Sequence, residues 1–253
     1  MRQVRPKKFL GQHFLTDLSV ARRIADTVDL YPDIPILEVG PGMGVLTQYL
    51  MQKQRKLKVA EIDYESVAYL RKTYPMLEDD IIEDDFLKMH LDKTFGEPFL
   101  LTGNYPYNIS SQIFFKMLDF KDYIPCCTGM IQKEMAERLS AQPGTKAYGI
   151  ITILVGLWYD VEYLFTVPPS VFNPPPKVQS AVICMRRNGT IDAGCNTTLL
   201  TRLVKQAFQQ RRKMLRVSLR NILPEGHPFS TLRPEQLSID EFVQLTNDVE
   251  KRT

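Results

Sequence analysis

The 253-residue chain is poor in the residues from which metal and redox centres are built. Its three histidines are scattered. Its four cysteines fall as one adjacent pair, Cys126 and Cys127, and two separate singles, Cys184 and Cys195. No CxxC or zinc-ligand spacing results, and no disulfide framework, so the expectation is a site without metal in a cytoplasmic protein. Long apolar runs are missing too. The best, residues 150–158, falls far short of the ~20 residues that a membrane helix needs, so no membrane partner is expected. The N-terminus is basic, but Lys7, Lys8, Gln12 and His13 interrupt any apolar stretch of signal-peptide type. The net charge is only +3, and 44% hydrophobic with 24% charged residues is an ordinary globular composition, which excludes disorder or coiled coil as the main state. The length suits one large domain, or an ordinary domain with a small one, and a monomer is expected.

The hydrophobic pattern divides the chain. After a basic opening (Arg2, Arg5, Lys7, Lys8), a helix is predicted behind Thr16 as N-cap, with Leu18, Ala21, Ile24, Ala25 and Val28 at helical spacing. Short apolar runs at 36–39, 57–62, 99–101 and 129–131 then alternate with helical stretches at 45–52, 65–72 and 111–118. That alternation predicts a parallel sheet covered on both faces. Beyond residue 147, runs at 159–167 and 178–185 flank a proline-rich stretch with no helix between them, which predicts an antiparallel hairpin at the sheet edge. Asn188, Gly189 and Gly194 read as a linker. The expected division is therefore an α/β domain over 1–188 and a small helical domain over 189–253.

Three strand ends carry the chemistry. ILEVGPGMGVL, residues 36–46, is a strand, a glycine turn and a helix start. Gly40, Gly42 and Gly44 let the backbone approach a ligand, and the helix start offers free N–H groups. The dinucleotide pattern GxGxxG needs a small residue where Val45 stands, so a pyrophosphate and a dehydrogenase are disfavoured. Glu61, in VAEID at 59–63, ends the second strand about 20 residues on, where an acid suits a ribose diol. An E-x-G-x-G-x-G turn followed by such an acid resembles the S-adenosylmethionine site of Rossmann-like methyltransferases. In that reading Asp84 or Asp85, at the third strand end, accepts the adenine amino group of the cofactor, and the resemblance favours Asp85.

At the fourth strand end stands GNYPYN, residues 103–108, which resembles the N-x-P-[YF] signature of methyltransferases acting on exocyclic amines. The adenine N6 lone pair is delocalised into the ring. Two acceptors, the Asn104 amide oxygen and a backbone carbonyl near Tyr105–Pro106, can hold its N–H groups and localise the pair. Pro106 fixes the turn, and Tyr107 can stack on the base.

Three further motifs narrow the resemblance. FLGQHFL at 9–15 is similar to an FGQNFL segment, PPSVFNPPPKV at 168–178 to a PxxFxPxPxV motif, and QRRKML at 210–215 to a basic helical signature. In order along nearly the whole chain, they resemble the small-subunit ribosomal RNA adenine dimethyltransferases. The resemblance implies a Rossmann-like fold with a mostly parallel seven-stranded sheet, an antiparallel edge hairpin and a C-terminal helical domain. It implies N6-dimethylation of two adjacent adenosines in the 3′-terminal hairpin loop of 16S rRNA, within the small subunit or its precursor. The donor would be S-adenosylmethionine, leaving S-adenosylhomocysteine, with no metal. It implies cofactor contacts from His13, Leu15, Gly40, Gly42, Glu61, Ile62, Asp85 and Asn104, and a stacking role for Phe172 opposite Tyr107. Position 13 is His where many members have Asn, and position 105 is Tyr where Leu is usual. The related 23S rRNA adenine methyltransferases of antibiotic resistance, a ribosome-assembly factor and a DNA adenine methyltransferase are the competing readings.

Residues 199–223 contain no acid, yet carry Arg202, Lys205, Arg211, Arg212, Lys213, Arg216 and Arg220. Leu203, Ala207, Phe208, Leu215, Leu219 and Ile222 add helical periodicity. One helix with a basic outer face is expected, bound to a phosphate backbone through Arg211, Arg212, Lys213 and Arg216, with Lys7 and Lys8 contributing. Binding should weaken steeply with salt, less so once Arg211, Arg212 and Lys213 are neutralised.

Overall fold

A computed structural model of the chain describes residues 13–252, Pro32 excepted. Lys7, Lys8 and motif residues 9–12 lie outside the described residues. The chain packs as two units. One is the chain up to Ala136 together with Val161–Arg186. The other is Glu137–Asp160 together with the chain from Arg187 on.

The first unit is built on a seven-stranded sheet. Its strands are β2 (Ile36–Val39), β3 (Leu57–Glu61), β4 (Ile81–Glu83), β5 (Leu100–Thr102), β6 (Cys126–Gln132), β7 (Tyr159–Val167) and β9 (Ser180–Arg187), in the order β4-β3-β2-β5-β6-β9-β7. β2 pairs in parallel with β3 and β5, β3 with β4, and β5 with β6, while β9 runs antiparallel to β6. β2 is buried at every position, as a strand covered on both faces must be. The two late runs do lie side by side, with β7 as the edge, although a short 3-10 helix at Pro169–Val171 stands between them in the chain. A separate two-stranded ribbon pairs β1 (Phe14–Leu15) with β8 (Phe172–Asn173), antiparallel.

Helices α1 (Leu18–Ala25), α2 (Thr47–Leu50), α3 (Tyr64–Thr73), α4 (Asp92–Phe95) and α5 (Ser110–Asp119) connect these strands, and α6 (Lys133–Leu139) follows β6. The start of α1 departs from expectation. The cap is Asp17, whose carboxylate accepts from the amides of Ser19 and Val20. The Thr16 hydroxyl is drawn away instead, donating to the Val171 carbonyl at 2.9 Å. Ala21, Ile24, Ala25 and Val28 are buried as their spacing predicts, but Leu18 is exposed.

The second unit holds α7 (Ile150–Gly156), α8 (Thr197–Gln209), α9 (Leu215–Ser218) and α10 (Ile239–Glu250). α8 is capped by Asn196, and α10 by a reciprocal box of Ser238 and Glu241. Leu200, Leu203 and Ala207 of α8 and Phe242, Leu245 and Val249 of α10 are buried. The single helix expected over 199–223 is broken in two. α8 ends at Gln209, a turn closes from the Lys213 amide to the Gln210 carbonyl, and the amides of Leu215 and Arg216 pair with the carbonyls of Leu232 and Ser230. Those tertiary partners replace the helical ones that residues 211 and 212 would have supplied.

Candidate active site

β2 has β3 on one side and β5 on the other, and the chain leaves their carboxyl ends in opposite directions. Open α/β sheets hold ligands at such a reversal. A cavity of about 320 Å³ opens there. It is lined from the ends of four strands: by residues 38–43 at the end of β2 and in the turn beyond it, Ala60–Ile62 from the end of β3, residues 84–87 after β4 and residues 104–109 after β5, with His13, Phe14 and Leu15 alongside.

The glycine turn is shaped by backbone geometry. Gly40, Gly42 and Gly44 all have positive φ, between 55° and 76°, a region that L side chains rarely adopt. A Cβ on Gly42 would lie 3.2 Å from the Phe14 ring, and one on Gly44 2.4 Å from the Tyr74 ring. Glu61 ties the turn to the second strand: one carboxylate oxygen accepts from the Gly42 amide at 3.0 Å, the other from the Asp63 amide at 2.9 Å. Burial pushes its carboxyl up from the ordinary value. Each oxygen still has a lone pair for a hydroxyl donor.

Glu38, inside the buried strand β2, also lines the cavity and was not among the expected site residues. Its signal was legible: a carboxylate in an otherwise apolar strand is costly unless something uses it. It accepts from the Thr47 hydroxyl at 2.7 Å, and burial pushes its pKa up to about 8. In the unfolded chain the group titrates near 4.5. Between those values the native state keeps a proton that the unfolded chain has released, so stability falls as pH rises through the window and levels off above it. Glu38→Gln keeps an acceptor for Thr47 and removes the titration. Its unfolding free energy in urea should therefore fall less with pH across this window than that of the parent. Parallel pH profiles would contradict the assignment.

Asp84 and Asp85 both reach the cavity. Asp84 accepts from the Asp85 amide, and Asp85 accepts from the Leu87 amide with Lys88 3.6 Å away. Ile62 also lines the cavity and is 54% exposed. Among the described lining residues there are four acids (Glu38, Glu61, Asp84 and Asp85) and no Lys or Arg. Glu38 keeps its proton near neutral pH, so the potential comes from the other three, and it suits a cation and repels a pyrophosphate.

The turn after β5 is clamped onto β6. The Tyr105 amide donates to the Met130 carbonyl at 3.0 Å, and the Met130 amide to the Gly103 carbonyl at 2.9 Å. The Tyr105 side chain points into the core, 1% exposed, its hydroxyl donating to the Thr128 carbonyl at 2.8 Å. The Pro106 carbonyl accepts from the Ile109 amide, so the carbonyl of Tyr105 is the one left for a ligand. Asn104 donates from Nδ2 to the His13 carbonyl at 3.3 Å, which turns Oδ1 away from that partner. The Tyr107 hydroxyl bonds to that of Ser180, and its ring is stacked on the His13 ring. Gly40 and the Asn104 turn thus meet: a Cβ on Gly40 would sit 3.9 Å from Pro106.

Two expected participants are placed elsewhere. Phe172 does not line the cavity. It pairs with Leu15 across the β1–β8 ribbon, 4% exposed, in the same apolar cluster as Val167 and Val182. Arg211 donates to the carbonyls of Thr145 and Lys146 at 2.9 and 2.7 Å, with Glu235 at 4.0 Å. Arg212, Lys213 and Arg216 are exposed. Among the described residues no helix is long and apolar enough to cross a membrane, and no cluster of His, Cys, Asp or Glu could hold a metal ion.

Comparison with known proteins matches residues 3–250 to the family described as ribosomal RNA adenine dimethylase. A protein of Phocaeicola vulgatus named ribosomal RNA small subunit methyltransferase A is 68% identical, over 98% of this chain and 90% of its own length. A Bacteroides fragilis protein of the same name is 66% identical, over 99% and 94%. Among solved structures, a dimethyladenosine transferase from Plasmodium falciparum superposes with a TM-score of 0.79 at 25% identity, covering 95% of this chain and 98% of that one. The 23S rRNA methyltransferase ErmE gives 0.69 at 27% identity, covering 92% and 99%.

Proposed function

The chain belongs to the ribosomal RNA adenine dimethylase family, and from that premise we propose that this methyltransferase dimethylates N6 of two adjacent adenosines in the 3′-terminal hairpin loop of 16S rRNA, in the small subunit or its precursor, as a cytoplasmic monomer. The observation that carries the reading is one cavity joining the glycine turn, Glu61 and the Asn104–Tyr107 turn.

The lining fits S-adenosylmethionine, a cation with a ribose and an adenine. Glu61 offers carboxylate oxygens to the ribose hydroxyls, Asp85 an acceptor to the adenine amino group, and Ile62 an apolar wall. Gly40, Gly42, His13 and Leu15 border the remainder, and Glu61, Asp84 and Asp85 favour the positive charge. Bound there, the donor supplies an electrophilic methyl group on a sulfonium sulfur.

The chain's own residues prepare the nucleophile. Asn104 Oδ1 and the Tyr105 carbonyl accept the N–H groups of the target amine, two in the first transfer and the one that remains in the second, which withdraws its lone pair from the ring and aims it. Tyr107 supplies a stacking face, with its hydroxyl fixed on Ser180. No side-chain base is required, because the methylated ammonium is acidic and releases its proton to water. Alignment of this kind can lower a barrier by ~7–11 kcal/mol.

The relatives at 66% and 68% identity support the small subunit as substrate over the large one. The test is methyl transfer by the purified protein to unmethylated small and large subunits, with mass spectrometry for paired dimethyladenosines. Transfer to large subunits alone would overturn the reading.

For the RNA-facing surface we assign phosphate contacts to Arg212, Lys213 and Arg216, and a structural brace to Arg211. Arg212→Ala with Lys213→Ala should reduce the slope of log affinity against log salt by about 1 to 2. Arg211→Ala should leave that slope in place and cost about 1.5–3 kcal/mol of stability, from its charged bonds to two carbonyls. A slope that responds only to Arg211→Ala would reverse the two roles.

A further inference from the structure

The segment carrying His13 is zipped along the proline-rich stretch. Phe14 and Leu15 pair with Asn173 and Phe172, and both the Thr16 amide and its hydroxyl donate to the Val171 carbonyl. The His13 carbonyl is held by Asn104 Nδ2. The imidazole therefore has a fixed root. It points to the cavity, with Nδ1 2.9 Å from the Pro174 carbonyl and its ring stacked on Tyr107 at 5.5 Å between centroids and 28° between planes.

That is the face on which the target base should lie if the proposed function holds. A planar base inserted between two rings needs about 7 Å, two contact distances of about 3.5 Å. The rings stand at 5.5 Å, so base and imidazole cannot share the face as it is built. The backbone of residue 13 has no need to move, because the carbonyl that orients Asn104 leaves Oδ1 to the incoming amine. A side-chain rotation that breaks the contact with Pro174 is enough.

We propose that the His13 ring is an internal stand-in for the target adenine, covering Tyr107 until the flipped base displaces it. This inference rests on the proposed function. The stand-in reduces apparent affinity by the fraction of enzyme whose Tyr107 face is open. It also keeps water off that face before RNA binds.

The test uses the full chain and unmethylated small subunits at saturating S-adenosylmethionine. His13→Ala and His13→Asn uncover the face and should lower KM for subunits by roughly three- to tenfold, given the size of an aromatic contact. His13→Phe still stacks and should not. S-adenosylhomocysteine affinity, measured by calorimetry on each variant, separates any effect on the cofactor. A second readout needs no turnover. In protein saturated with S-adenosylhomocysteine, the ring-proton signals of the three histidines are followed by NMR as a short unpaired adenosine-containing RNA is added. The His13 signals should move toward unstacked values. An unchanged or higher KM in His13→Ala, or His13 signals that stay in place while RNA binds, would overturn the stand-in. If the parent protein transfers no methyl group to adenine at all, the functional reading fails instead.

Discussion

Asn104→Ala is expected to lower the rate of adenine methylation by about a hundredfold to a thousandfold at saturating RNA, the range seen when one preorganised polar partner of a transition state is removed. The physical reason is local. Oδ1 is the side-chain acceptor at the Asn104–Tyr107 turn, and its orientation is set by the Nδ2 bond to the His13 carbonyl. Alanine removes both the acceptor and the tie to residue 13. Because the role is to raise the nucleophilicity of the amine, the loss should fall on single-turnover methyl transfer more than on KM for subunits. Asn104→Asp keeps an acceptor but sets a carboxylate against the His13 carbonyl, and should lie between alanine and the parent. Dimethylation at the parental rate in Asn104→Ala would remove Asn104 from the chemistry.

Gly129→Ala should be the most damaging small substitution in the first unit. Gly129 has φ 139°, and a Cβ there would lie 2.3 Å from the Gly103 carbonyl oxygen and 2.7 Å from the Tyr105 ring. Both are parts of the clamp that holds the Asn104 turn on β6. Backbone strain and overpacking together should cost about 2–6 kcal/mol, a fall of about 10 °C in the thermal midpoint at the middle of that range. The protein that remains folded should methylate more slowly than a variant equally destabilised elsewhere, because Tyr105 and Asn104 shift with the turn. Ile113→Ala, in a buried helix position away from the cavity lining and expected to cost about 2–5 kcal/mol, is a suitable comparison. A Gly129→Ala protein of parental stability and rate would show that the clamp is not needed.

Much of the site was legible because its geometry is local. Glycines at positive φ, an acid at the next strand end, and Asn-Tyr-Pro-Tyr two strands later each need only their own turn to be recognised. Parallel β/α succession then puts every strand's carboxyl end on the same edge. The residues whose surroundings the sequence did not show are those with partners distant along the chain. Thr16 had the chemistry of a cap, but Val171, 155 residues away, takes its hydroxyl. Arg211 looked like part of a basic face, yet its guanidinium is spent on carbonyls 65 and 66 residues back. Phe172 carried the right motif and is buried against Leu15.

The sequence by itself determined the alternating fold, the positions of the glycine turn and the Asn-Tyr-Pro-Tyr turn, and the family, since each is written in short-range spacing and residue type. Only the tertiary structure decided which face of Tyr107 is covered, which arginine bonds to distant backbone carbonyls and how hard Glu38 is to ionise. Those depend on desolvation and on bonds between segments more than a hundred residues apart in the case of His13 and Pro174, where no local pattern records the partner.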